Sequence, residues 1–179
     1  MDAVARAIPI DLQIPAPAEG CHALDAHTAE PAGKRGRQLE RLSIRRHLES
    51  DVPFIQSAGE YISAGGGKRM RPALLLLSSR MLGHDSEEEV TYAAVVEFIH
   101  TATLIHDDII DHASLRRGQR TVNQVWGNSM TVLLGDWIYT TSMRMALAHD
   151  NLEVIRRLCD ATLRMTEGEL LGHQLAEDK

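Results

Sequence analysis

Aromatic residues are scarce in this chain: two Phe, two Trp and three Tyr make up 4% of 179 residues. Strands draw on aromatic and β-branched side chains, so this shortage, beside abundant Ala, Leu and Arg, argues for helices. Cysteine is nearly absent. Cys21 and Cys159 stand far apart and match no metal or redox spacing, which argues against a disulfide scaffold and for two thiols of a reducing compartment. Positive charge is in deficit. Nineteen Lys and Arg against 25 Asp and Glu leave a net charge of −6, the wrong sign for a general nucleic-acid binder. Long apolar runs are missing too. The stretch Ala73-Leu74-Leu75-Leu76-Leu77 falls far short of the roughly 20 residues a bilayer crossing needs. Residues 1–30 hold one Arg and no apolar core, so neither a signal nor a transit peptide is expected, and the expected location is the cytoplasm.

What the chain does have is 44% hydrophobic residues, enough for the core of one domain. Residues 1–36 read as a disordered N-terminal tail. Four of the six prolines (Pro9, Pro15, Pro17 and Pro31) fall there, without a periodic apolar face to offset ordering entropy. Residues 37–179 read as the domain. Leu39, Leu42, Ile44 and Leu48 give a first helical spacing. Pro53 suits the first turn of a helix running through Ile55, Ala58 and Ile62 to Gly65-Gly66-Gly67. Another is expected from Pro72 to about Met81, closed by Gly83. Ser86-Glu87-Glu88-Glu89 is a capping box, with acids set against the helix dipole. The helix it opens should reach Asp111, with Ala93, Val96, Ile99, Thr103 and Ile110 on its apolar side. A loop over 112–120 and helices at about 121–126, 129–148 and 152–176 complete an all-α, multi-helix bundle. No internal repeat is present.

The long helix carries the chemistry. Asp107 and Asp111 are four apart and project from one face, and His100 lies two turns before Asp107 on nearly the same stripe. Like charges one turn apart repel, and an otherwise apolar helix tolerates them best around a cation. Oxygen-only ligands suit Mg²⁺, typically held by one or two carboxylates together with substrate phosphates. Asp107-Asp108 is the only adjacent Asp pair in the chain. The bland alternative is a solvated helix end near Arg116, Arg117 and Arg120.

Two basic sets could face the same cleft: Lys68, Arg69 and Arg71 after the triple glycine, and Arg116, Arg117 and Arg120 after the carboxylates. Glycine backbone N–H groups and arginine forks both match phosphate oxygens. The loop is not a Walker loop, because Ile62 and Arg69 stand where that pattern needs Gly and Ser or Thr. A flexible turn with exposed charges is its bland alternative. Basic, acidic and basic clusters together suggest Mg²⁺-assisted handling of a diphosphate.

Gly66-Gly67-Lys68-Arg69-Met70-Arg71-Pro72, the run from Glu97 to Asp111, and Arg116-Arg117-Gly118 closely resemble the trans-isoprenyl diphosphate synthases. The long-chain type, such as octaprenyl and solanesyl diphosphate synthases, is the nearest in pattern. Gly127-Asn128, Leu134-Gly135-Asp136 and Glu167-Gly168-Glu169 extend the resemblance over about residues 38–176. It implies an all-α isoprenoid synthase fold around a central cavity, and a homodimer. It implies condensation of isopentenyl diphosphate with an allylic prenyl diphosphate, with Mg²⁺ as cofactor. Asp107, Asp108 and Asp111 match the first aspartate-rich motif, which holds the metal and through it the allylic diphosphate. Arg116 would contact that diphosphate too. Lys68, Arg71, His100 and Arg117 match positions that bind isopentenyl diphosphate. Ala102 and Thr103 occupy the chain-length positions, where small residues imply a long product and Ala102→Phe should shorten it. Membrane contact would then be peripheral, through the lipid product.

The family also has a second aspartate-rich motif in its C-terminal half, and Lys179 comes before it. Gly172 stands where members usually have Gln, with Gln174 two residues on. The expectation is therefore a truncated chain, impaired or inactive by itself. Two other readings stay open. One is a non-catalytic partner that binds a full-length synthase or a prenyl diphosphate. The other is a metal phosphohydrolase built on His106-Asp107 with His100 and His112, although His106 lies off the His100–Asp107–Asp111 stripe.

Overall fold

The computed structural model describes residues 50–84 and 86–177. The expected tail over 1–36 and the helix starting at Arg37 lie outside these residues. Helix α1 spans Pro53–Ala64 with Pro53 in its first turn, where a missing N–H costs nothing. Helix α2 spans Met70–Met81, starting two residues before the expected Pro72, because Arg69 turns the chain left-handed (φ 48°) and restarts the helix at once. Helix α3 spans Glu87–Ile110 and opens with the expected capping box. Ser86 and Glu89 satisfy each other's backbone N–H groups, and Asp111 is the C-cap. Helices α4 (Val122–Trp126), α5 (Asn128–Ala146) and α6 (Leu152–Glu177) follow, with one 3₁₀ turn at Leu147–His149.

The expected loop over 112–120 contains a small β-hairpin. Strands β1 (Leu115–Arg116) and β2 (Gln119–Arg120) pair antiparallel, Arg116 opposite Gln119. Both turn residues have positive φ, Arg117 at 54° and Gly118 at 80°. That is the geometry of a type I′ turn, whose twist matches the flanking strands.

The core is built around α3, which packs mainly on α5 and then on α2. Ala94, Val95, Phe98, Ala102 and Ile105 of α3 form one buried cluster with Leu134, Ile138 and Met145 of α5 and Ala58 of α1. The expected apolar side of α3 needs correction. Ala93 and Ile99 are buried, but Val96 and Thr103 are half-buried and Ile110 is exposed. A helix covered on more than one side buries a broader arc than one stripe. Gly135 sets the α3–α5 distance, since a Cβ there would collide with the His106 ring. Edge-on aromatic contacts of Trp126 with Phe54 and Tyr61 join α4 to α1, their ring centroids 5.8 and 5.2 Å apart. Among the described residues, no helix is long and apolar enough to cross a membrane.

Candidate diphosphate and metal site

The C-terminal end of α3, the glycine loop between α1 and α2, and the β-hairpin meet around one cavity of about 100 Å³. Its walls include Gly65, Gly66, Arg69, Glu97, His100, Thr101, Asp108, Arg116, Arg117 and Arg120. Four of the six basic residues picked out from the sequence therefore line one space, with two carboxylates among them. Lys68, on the same loop, and Arg71, in the first turn of α2, are exposed.

The glycine loop is pinned rather than free. Arg117 donates through Nη1 to the carbonyl of Gly66, 51 residues away in sequence. A Cβ on Gly67 would stand 2.9 Å from that same Nη1, and one on Gly65 would stand 2.8 Å from Gln119 Oε1. Glycines thus let the hairpin close on the loop. The hairpin is held in turn by Tyr61, whose hydroxyl donates to the carbonyl of Arg120 at 2.7 Å. On its other side the loop is tied to α3 by Arg69, with Nη1 2.7 Å from Glu97 Oε1.

The three aspartates separate into two environments. Asp107 is half-buried and Asp111 exposed, one turn apart at the end of α3. Asp108 is buried at 3% exposure and faces the hairpin, where Arg116 Nε and Nη2 each lie 2.8 Å from its Oδ1. Among the described residues, no group of three or more His, Cys, Asp and Glu side chains converges as a ready metal cluster. The Asp107 carboxyl is pushed above its usual range. Desolvation is the largest cause, followed by the negative charges of Glu169 on α6 and Asp111; Arg116 opposes the shift and Asp108 adds to it. An excess of negative charge at two oxygen donors one turn apart is what a hard cation relieves, so this donor set fits Mg²⁺. Arg116 is held further toward its charged form, first by its hydrogen bond to Asp108. The His100 imidazole is pushed toward neutrality. Burial is the largest cause and Arg71 the next; Glu97 opposes the shift, and Arg117 and Arg116 add to it.

The chain-length candidates also part. Ala102 is buried at 2% in the α3–α5 core, whereas Thr103 is half-buried on the Asp107 side of the helix. His106 faces α5, with Nε2 3.2 Å from the carbonyl of Val132 and 3.5 Å from Asp136 Oδ1. It is thus turned away from Asp107, which weakens the phosphohydrolase reading. Sequence reasoning gave no role to Glu97 or Glu169. Glu97 could have been found as a lone carboxylate in the apolar run Val95 to Ile99, where a buried charge needs a partner.

The Polyprenyl synthetase family model matches residues 52–179. The chain belongs to the polyprenyl synthetase family. It is 44% identical over 129 residues to the octaprenyl diphosphate synthase of Escherichia coli K12, a match covering 72% of this chain and 40% of that protein. A polyprenyl synthase from Caulobacter crescentus CB15, solved in complex with calcium and isoprenyl diphosphate, superposes with a TM-score of 0.77 at 33% identity, over 80% of this chain and 44% of that one. A decaprenyl diphosphate synthase from Rhodobacter capsulatus gives the same TM-score at 36% identity, over 81% and 45%. The chain thus spans less than half the length of these relatives. The expected all-α isoprenoid synthase fold is what they share with it.

Proposed function

We propose that this chain belongs to a Mg²⁺-dependent prenyltransferase that condenses isopentenyl diphosphate with an allylic diphosphate to give a long-chain polyprenyl diphosphate. The observation that carries the reading is the outward carboxylate pair Asp107 and Asp111, set beside a cavity walled by His100, Arg116 and Arg117. The Caulobacter relative, described as a complex with calcium and isoprenyl diphosphate, supports a site for a divalent cation and a diphosphate.

Asp107 and Asp111 would hold Mg²⁺, with Asp108 serving through Arg116. Bound there, magnesium supplies positive charge that stabilises a departing diphosphate. Arg116, oriented by Asp108, would grip the allylic diphosphate as its C–O bond breaks. Lys68, Arg71, Arg117 and His100 would hold isopentenyl diphosphate. Its double bond attacks the allylic carbon, a carbon–carbon bond forms, and a proton is lost. A neutral His100 can donate a hydrogen bond to a phosphate oxygen without repelling the guanidinium groups beside it. Thr103, small and on the Asp107 side of α3, would leave room for a long growing tail. A homodimer and a cytoplasmic location belong to the same proposal. Exposed apolar side chains such as Leu133 and Leu170 support association.

Incubating the purified chain with Mg²⁺, isopentenyl diphosphate and geranyl diphosphate tests the reading. Release of diphosphate with a longer lipid is expected of the synthase. Binding of both diphosphates without turnover would favour the partner reading, and no binding of either would overturn both.

A further inference from the structure

We infer that Arg69 and Glu97 are a positioning pair that clamps the diphosphate-binding loop to the helix of the carboxylates. This inference rests on the reading above and names two residues it leaves without a role.

The pair is close and nearly dry, with Nη1 to Oε1 2.7 Å and side-chain exposures of 16% and 10%. Both residues line the cavity. A carboxylate in the wall of an anion site repels its ligand unless its charge is already matched. Glu97 is matched by Arg69, so Arg69 is the cation of this wall least available to a phosphate. Its contribution is geometric. Arg69 lies between Lys68 and Arg71, and it holds a left-handed backbone that non-glycine residues rarely adopt. That conformation reverses the chain out of the glycine loop and starts α2 immediately. Glu97 holds it from α3, one turn before His100. Arg117 pins the other side of the loop through the Gly66 carbonyl. Two fastenings on opposite flanks thus fix Lys68 and Arg71 relative to His100, the preorganisation that isopentenyl diphosphate binding needs.

The test compares the full chain with Glu97→Ala and with the double variant Arg69→Leu/Glu97→Leu. Replacing both partners of a buried pair by apolar side chains is commonly neutral or stabilising, so the double variant keeps the fold if the single one does not. Two quantities are read: calorimetric affinity for isopentenyl diphosphate, and amide hydrogen exchange over residues 66–71. The double variant is expected to lose about tenfold in affinity, the size of many single-residue positioning effects, and to exchange faster at the loop, with an unchanged thermal midpoint. The magnesium-dependent uptake of inorganic diphosphate, assigned to Asp107 and Asp111, should be unaffected. Unchanged affinity and unchanged exchange would overturn the clamp. If the unsubstituted chain takes up no isopentenyl diphosphate, the functional reading fails, and exchange at the loop alone then decides the clamp, faster supporting it and equal overturning it.

Discussion

Arg116 aims two nitrogens at a single oxygen of Asp108, Nε and Nη2 each lying 2.8 Å from Oδ1. The two partners are unequally buried, 37% exposed for the Arg116 side chain and 5% for Asp108. That inequality sets the cost of breaking the pair from either end. Arg116→Ala strands a buried carboxylate and should cost about 3–5 kcal/mol. Asp108→Ala leaves a guanidinium that water can still reach and should cost about 1–3 kcal/mol. Urea denaturation of both variants checks the order, and equal losses would show that Asp108 is not buried in solution.

The two environments of the aspartates predict unequal roles in metal uptake. Asp107→Asn and Asp111→Asn should abolish magnesium-dependent binding of inorganic diphosphate, read by calorimetry, while Asp108→Asn should reduce it only modestly. An equal loss from all three would restore the three-ligand set expected from the sequence. The raised Asp107 carboxyl adds a sign to this experiment. Its folded form holds a proton at higher pH than the unfolded chain does, so without metal the carboxylate costs stability that grows as pH rises through the folded value. Asp107→Asn should therefore stabilise the metal-free chain at neutral pH, by a few tenths of a kcal/mol for relief of a like-charge pair one turn apart.

Much of this was legible in local chemistry. Pro53 and the Ser86–Glu89 box announce helix starts because capping is settled within four residues. The Asp107–Asp111 stripe follows from helical spacing alone. The hairpin was not legible, since two-residue strands carry no periodicity and Arg117 at positive φ is an unusual turn residue. Nor could spacing reveal that Asp108 turns to Arg116, because that partner comes back only after the chain reverses at 112–114. Ile110, expected on the apolar side, sits in the last turn of α3 and stays 48% exposed.

The depressed His100 pKa predicts a linkage in two parts. Burial and neighbouring arginines keep the folded imidazole neutral at pH values where the unfolded chain would already be protonated. The unfolded state then binds more protons, so stability is lost as pH falls from about 6.5 through the folded value. His100→Gln should flatten that stretch of the stability curve. A bound diphosphate would reverse the local potential, so binding near pH 6 should take up protons in the unsubstituted chain and fewer in His100→Gln. Calorimetry in buffers of different ionisation heat measures the difference.

Ala102 and Thr103 adjoin in sequence but not in surroundings. Ala102 is packed in the α3–α5 core, so Ala102→Phe should cost about 1–3 kcal/mol by overpacking, visible as a lower thermal midpoint. Thr103 lies half-buried on the Asp107 side and should accept Phe with little loss of stability. If prenyl transfer is measured, Thr103→Phe is the cleaner probe of product length. Products of unchanged length from a well-folded Thr103→Phe chain would remove this position from the chain-length assignment.

Gly135 and His106 give the sharpest test of the α3–α5 packing. A methyl at position 135 would collide with the His106 ring, which is held by the Val132 carbonyl. In an open helix, Gly→Ala gains up to about 1 kcal/mol. Here Gly135→Ala should instead lose about 1–3 kcal/mol, because the ring must leave its site or the helices must part. His106→Ala removes the obstacle at the cost of one partly exposed hydrogen bond. The double variant should therefore be more stable than Gly135→Ala alone, with a coupling energy of about 1–3 kcal/mol across the cycle. Strictly additive effects would mean that the ring does not sit against the glycine, and that some other contact sets the distance between the two helices.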